Sequence, residues 1–156
     1  MKKRVGTFWP LGLTQNFFLE DWMNKKFIMA FFAYIALTFA CAVTWHLVLF
    51  HDYYLSVGMR KEPLMYLGVM SMMIQAAVLA YLYPRFYKSG EPLKEGAKFG
   101  FSMGLFLASF AALADAGKFD LGSPIAWILH EGTVTLLQFT LAGIIIGLIY
   151  GRMKTK

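Results

Sequence analysis

The stretch Glu95–Gly117, EGAKFGFSMGLFLASFAALADAG, contains a small residue at every fourth position. These residues are Gly96, Gly100, Gly104, Ala108, Ala112 and Ala116. Because residues four apart share one face of an α-helix, the small side chains form a groove that a second helix can approach closely. In a lipid bilayer this close packing replaces the hydrophobic effect as a cause of helix association. The stretch therefore predicts a membrane-spanning helix that packs on a neighbouring helix.

The composition of the 156-residue chain also favours a membrane location. Hydrophobic residues make up 58% of the chain and charged residues 15%, and the mean hydropathy is +0.54. These values exclude an ordinary soluble domain. The net charge of +6 comes from short basic clusters between apolar runs, which indicate membrane topology rather than a nucleic-acid partner.

Four apolar runs are long enough to cross a bilayer core, which needs roughly 20 residues of helix. They cover residues 27–50, 64–84, 99–116 and 125–150. We therefore predict an all-α fold, an integral membrane four-helix bundle in a single domain over residues 1–156. Residues 1–26 are predicted to form a cytoplasmic segment with a short helix at the membrane interface.

The distribution of lysine and arginine predicts the orientation. Five lie before the first span, four between the second and third spans, and three after the fourth. The two remaining loops hold three between them. By the positive-inside rule both termini are cytoplasmic, and we expect the protein in the bacterial cytoplasmic membrane.

The fourth span repeats the small-residue pattern of the third, with Gly143, Gly147 and Gly151. We predict that the two spans form an antiparallel hairpin. The predicted pairs are Gly96 with Gly151, Gly100 with Gly147, Gly104 with Gly143, and Asp115 with Gly132. The alternative is that one groove packs on a second copy of the chain or on another protein.

Polar residues in the spans are few, and several are predicted to lie at one depth. His46, Asp115 and Glu131 each stand about 26–31 Å from a basic residue at the inner end of their helix, at a rise of about 1.5 Å per residue. The candidates for metal ligands are His46, Asp115, His130 and Glu131. A shared depth at the outer edge of the membrane equally suits side chains that only reach water.

A narrow polar stripe on the fourth span is predicted to face the bundle interior. Glu131, Thr135 and Gln138 lie within an arc of about 60° at 100° per residue, so Glu131 and Gln138 are expected to point inward, toward Gln75 of the second span. His130 lies on a different flank of that helix. After the first span, His51 and Asp52 are interpreted as solvated residues of a turn, and Tyr53 and Tyr54 as part of an aromatic belt at the outer boundary.

The sequence resembles a known family in its C-terminal half, in LYPRFYKSGEPLKEGAKFGFSMGL, LADAGKF and AWILHEGTVTLL. The residues that carry the resemblance are Pro84, Gly100, Gly104, Asp115, Glu131, Gly132 and Thr133. They are similar to those of an uncharacterised family of small four-span bacterial integral membrane proteins. The resemblance implies a fold and a membrane compartment, with Pro84 at the end of the second span, and no activity.

Three classes of function are compatible with these features. The first is a non-enzymatic membrane protein, either an accessory subunit of a larger complex or a homo-oligomer. The second is a proton-coupled transporter that uses Glu131, Asp115, Gln138 and Gln75. The third is a metal or haem b carrier built on His46, His130, Glu131 and Asp115, in which the two histidines would be the axial ligands of a haem. No catalytic residue and no cofactor is predicted, and the expected partners are the lipid bilayer and other membrane subunits or a second copy, with no nucleic acid.

Overall fold

The computed structural model describes residues 25–87 and 89–151, and all regular structure in these ranges is helical. Four helices are long and apolar enough to cross a membrane: Lys25–Leu49, Met65–Phe86, Pro92–Lys118 and Pro124–Gly151. We call them the first to fourth spans. A short helix, His51–Ser56, follows the first span. The predicted all-α fold with four helices of sufficient length and apolarity to span a membrane is confirmed. The predicted interfacial helix lies almost wholly outside the described residues.

The third span begins at Pro92 and therefore starts well before the predicted residue 99. Proline suits the first position of a helix, where no hydrogen-bond donor is needed. The helical turns that follow contain charged residues, and Lys98 and Glu95 form a salt bridge along the helix with Lys98 Nζ 2.8 Å from Glu95 Oε1. These turns are helical without being apolar, so a search for apolar runs misses them.

The second span continues through Pro84 to Phe86, whereas the family resemblance implies that Pro84 ends it. Proline has no N–H group, so the carbonyl of Ala80 lacks its usual helical donor. The hydroxyl of Tyr150, from the fourth span, donates to the Ala80 carbonyl oxygen at 2.9 Å in a buried position. The phenol thus replaces the missing donor and ties the two spans together.

The core lies in one half of the bundle, which we call the inner half because it contains the predicted cytoplasmic ends of the spans. There the first, second and fourth spans meet, and Ala30, Ala76 and Ala80 are fully buried. Small residues at these crossings allow the helices to approach closely. The other buried residues of this core are Phe27, Tyr34, Leu79, Tyr83, Phe139, Ala142, Ile146 and Tyr150.

The third and fourth spans form a hairpin in which backbone packs on backbone. A Cβ atom added to Gly100 would lie 2.9 Å from the Gly143 Cα atom and 3.0 Å from the Phe139 carbonyl carbon. One added to Gly96 would lie 3.0 Å from the Ile144 Cα atom. Only glycine leaves room for this approach.

The predicted register of the hairpin is wrong. Gly143 lies against Gly96 and Gly100 instead of Gly104, and Gly151 packs on Pro92 instead of Gly96. Small residues recur every four positions, so several registers bring glycines together. The short connection through residues 119–123 decides among them. As a result Ala112, and not Asp115, faces Gly132. Gly104 lies instead against Phe139, while Gly147 lies against Pro92 and Gly96.

The outer half of the bundle is more open. The first span ends in a π-helical segment, Val43–Leu49, and the third contains another, Ser109–Ala114. In such segments each N–H bonds five residues back, as Phe50 N does to Trp45 O at 3.0 Å, and this changes which side chains share a face. The first turns of the second span are exposed on every side, from Met65 to Met70. The first and second spans therefore leave a cleft between them at this end.

Candidate binding site at the outer end

The centre of the site is a hydrogen bond between Tyr54 and Glu131. The short helix His51–Ser56 places Tyr54, 3% exposed, so that its hydroxyl donates to Glu131 Oε1 at 2.7 Å. Glu131 is half-buried on the fourth span. Among the ion pairs within the described ranges, none joins a lysine or arginine to Glu131. A phenol, rather than a cation, therefore stabilises this carboxylate.

The interpretation of the residues after the first span as a turn, with Tyr54 in an aromatic belt, is wrong, although Asp52 is exposed as expected. These residues are helical, and Tyr54 is buried rather than part of an aromatic belt. Burial, and after it the hydrogen bond to Glu131, raises the pKa of Tyr54. Burial and then the charge of Glu131 also raise the pKa of Tyr53. Both phenols therefore stay protonated at neutral pH, and Tyr54 remains a donor.

His130 packs inside an aromatic cluster at the end of the first span. Its ring stacks on Tyr53 with centroids 4.1 Å apart and meets Phe50 edge-on at 4.5 Å. On its own flank of the fourth span, apart from the polar stripe, His130 thus packs against the end of the first span. His46 meets the Tyr54 ring edge-on at 4.3 Å. The two imidazoles thus belong to one cluster, held by aromatic contacts.

The four candidate metal ligands do not form one coordination set. Asp115 pairs with Lys118 at 3.6 Å, and Glu131 accepts the bond from Tyr54. Within residues 25–87 and 89–151, no three His, Cys, Asp or Glu side chains are arranged to hold a metal ion. The imidazoles of His46 and His130 are instead engaged by rings.

A cleft of about 560 Å³ opens beside this cluster. Aromatic side chains and two carboxylates line it, together with one imidazole. These residues are Tyr54, Phe119, Trp127, Asp120, Glu131 and His46. The indole nitrogen of Trp127 donates to the Ala111 carbonyl oxygen at 2.9 Å, so this ring is held in place by the third span. We call this space the head cleft.

The polar residues predicted at mid-depth lie in a separate group. The hydroxyl of Tyr34 donates to Gln75 Oε1 at 2.5 Å, and Gln75 Nε2 donates to Ser71 Oγ at 3.1 Å. Thr135 is buried, and Gln138 lines a groove between the first and fourth spans. The hydrogen-bond partner of Glu131 is therefore Tyr54, while Gln75 bonds to Tyr34 and Ser71.

Sequence reasoning missed Tyr54 and the role of Trp127. Trp127 and Glu131 are four residues apart on one helix, so they share a face, and this spacing could have linked them. No comparable signal existed for Tyr54, because its position depends on how the chain turns after the first span.

The fold and this cleft define a class: a bundle of four helices long enough to cross a membrane, with an aromatic and acidic cleft at one end. Comparison of the chain with known protein families, with curated proteins and with solved structures finds no match.

Proposed function

We propose that the protein is a non-enzymatic integral membrane subunit that associates side by side with another membrane helix, from a second copy or from a larger complex. It lies in the bacterial cytoplasmic membrane with both termini in the cytoplasm, as the basic residues of its loops favour. One observation carries the proposal. On the first span, Ala36, Ala40 and Thr44 form an outward-facing stripe of small residues that no helix in the described chain covers.

The stripe borders a groove of about 280 Å³ between the first and fourth spans. Ala40 and Thr44 form one wall, and Leu137, Gln138 and Leu141 form the other. Small residues let a second backbone approach, which is the main attraction between helices in lipid. The amide of Gln138 adds a group that can hydrogen-bond across an interface, worth roughly 1 kcal/mol in a bilayer. The groove therefore suits a helix better than it suits a disordered lipid chain.

The experiment compares two substitutions of a small exposed residue by leucine. Ala40→Leu fills the groove, whereas Ser109→Leu changes an outward-facing residue of the third span. The masses of the complexes are measured after extraction in a mild detergent. We expect the wild type and Ser109→Leu to run above the monomer mass and Ala40→Leu to shift toward the monomer. A strictly monomeric wild type, or an Ala40→Leu complex of wild-type mass, would overturn the proposal.

Two differently tagged copies expressed together separate the two kinds of partner. If the partner is a second copy, one tag recovers the other. If the partner is another subunit, the tags do not recover each other and the extra mass belongs to a different chain.

A proton-coupled transporter is the second candidate, favoured by the half-buried carboxylate of Glu131. Glu131, which accepts the bond from Tyr54, lies about 10 Å from Gln138 along the fourth span. The buried Val134 lies between these two polar residues. This separation favours the subunit over the transporter. If transport is the function, Glu131→Gln should abolish pH-dependent flux in proteoliposomes. Elemental analysis and a visible spectrum of the purified protein test the metal and haem alternatives.

A further inference from the structure

A second cleft lies between the first and second spans, next to the head cleft. Its volume is about 180 Å³, and its walls include Phe39, Val43, Leu47, Val69 and Met72. We call it the tail cleft. His46 and Met59 line both clefts, so the two adjoin at these side chains. The combined space is polar and aromatic at the outer end and aliphatic toward the middle of the bundle.

The head cleft has the charge and the surfaces that suit an organic cation. Glu131 and Asp120 supply two carboxylates, and no lysine or arginine is among its lining residues. Tyr54 and Trp127 meet edge to face with centroids 6.2 Å apart and form an aromatic corner beside Glu131. Aromatic faces and carboxylates both attract ammonium groups, and the attraction grows where water is excluded. An anionic group would instead be repelled.

Beyond His46, the tail cleft offers apolar contacts only, from aliphatic and thioether side chains and the ring of Phe39. Met65 and Met72 of the second span face Val43 and Leu47 of the first across it. Methionine is flexible and fills irregular space, so these walls can adjust to a chain of no fixed shape. An aliphatic chain in this cleft would cover apolar surface on both spans.

We propose that the two clefts together bind an amphiphile with an ammonium head group and a single aliphatic chain. The head lies in the corner formed by Tyr54, Trp127 and Glu131, and the chain lies between the first and second spans. His46 stands at the junction, with its ring held against Tyr54.

Binding of radiolabelled dodecyltrimethylammonium to the protein in dodecyl maltoside micelles tests the head group. We expect saturable binding that tetramethylammonium displaces and that dodecyl sulfate, with the same chain and the opposite charge, does not. Glu131→Gln should weaken binding about tenfold, as expected for the loss of roughly 1.4 kcal/mol. The glutamine can still accept the bond from Tyr54, so the local fold is kept. Displacement by dodecyl sulfate at the same concentrations would overturn the proposal.

A glycine substitution tests the chain separately. Gly68 lines the tail cleft, and a Cβ atom there would meet nothing within 4 Å, so Gly68→Leu fills the cleft without a clash. We expect this variant to lose dodecyltrimethylammonium and to keep tetramethylammonium. Gly117→Leu is the control, because a Cβ atom at Gly117 also meets nothing within 4 Å and Gly117 lines neither cleft. Wild-type dodecyltrimethylammonium binding by Gly68→Leu would overturn the proposal.

Mass spectrometry of lipids that copurify with the protein identifies the source of the amphiphile. An amine-bearing lipid retained by the wild type and lost from Gly68→Leu assigns the site to a membrane lipid. Equal lipid content in the two proteins, together with the binding results above, assigns it to a free amphiphilic cation.

Discussion

Replacing Gly143 with alanine tests whether backbone contact holds the third and fourth spans together. A Cβ atom at Gly143 would lie 2.5 Å from the Gly100 Cα atom and 2.6 Å from the Gly100 nitrogen, and it would also crowd the Gly96 carbonyl oxygen. Non-bonded carbon atoms prefer about 3.5–4.0 Å, so the two helices must separate by roughly 1 Å. Such a gap forfeits a quarter to a half of each contact along the interface. We expect a loss of about 1–3 kcal/mol in the free energy of unfolding.

Gly132→Ala is the matched control on the same helix. A Cβ atom at Gly132 would have the Ala112 Cβ atom as its nearest neighbour, at 3.8 Å, which is an ordinary contact. Both replacements gain a similar helix propensity of about 1 kcal/mol, which cancels in the comparison. Unfolding by dodecyl sulfate in mild-detergent micelles, followed by far-UV circular dichroism, measures the difference. Gly143→Ala should unfold at a lower dodecyl sulfate fraction than Gly132→Ala. Equal midpoints for the two variants would refute the reasoning.

Two further predictions concern tyrosines. Tyr150→Phe removes the donor to Ala80 opposite Pro84, and the same titration should show a loss of about 1–3 kcal/mol. Pro84→Ala restores a backbone donor and should make that loss smaller; an undiminished loss in the double variant contradicts this role. Tyr54 has a pKa above its ordinary 10.0, through burial and Glu131, so the folded protein keeps a proton that the unfolded chain releases. The contribution of Tyr54 to the free energy of unfolding is therefore fully present below pH 10, and it falls as the pH rises through the raised pKa. Tyrosinate absorbance of the wild type and Tyr54→Phe should coincide up to about pH 10 and diverge only above it, and divergence at lower pH contradicts the burial.

The number and approximate position of the spans could be predicted because apolar length is a local property of the sequence. The start of the third span could not, since its first turns are helical yet charged at Glu95 and Lys98. The register of the glycine hairpin was ambiguous for another reason. A small residue every four positions fits registers one turn apart, and only the short connection to the fourth span selects the one in which Gly143 meets Gly100.

The site was predicted in part. Counting residues along regular helices brings His46 and Glu131 to the same end of the bundle, and the structure places both beside Tyr54. The direction of His46 was harder to predict, because it lies in the π-helical segment Val43–Leu49, which breaks the rotation of 100° per residue on which facial arguments rest. Tyr54 was missed since a contact between a connecting helix and the fourth span leaves no periodic signal in the sequence.

The topology of the chain is the central claim, and cysteine labelling in intact cells tests it most directly. The native cysteine is removed by Cys41→Ser, and single cysteines are placed at three exposed loop positions as Glu62→Cys, Ser89→Cys and Asp120→Cys. A maleimide that cannot cross the membrane should label the variants at Glu62 and Asp120 in intact cells and the variant at Ser89 only after lysis. Labelling at Ser89 before lysis, or at only one of the other two positions, would contradict four spans with both termini in the cytoplasm.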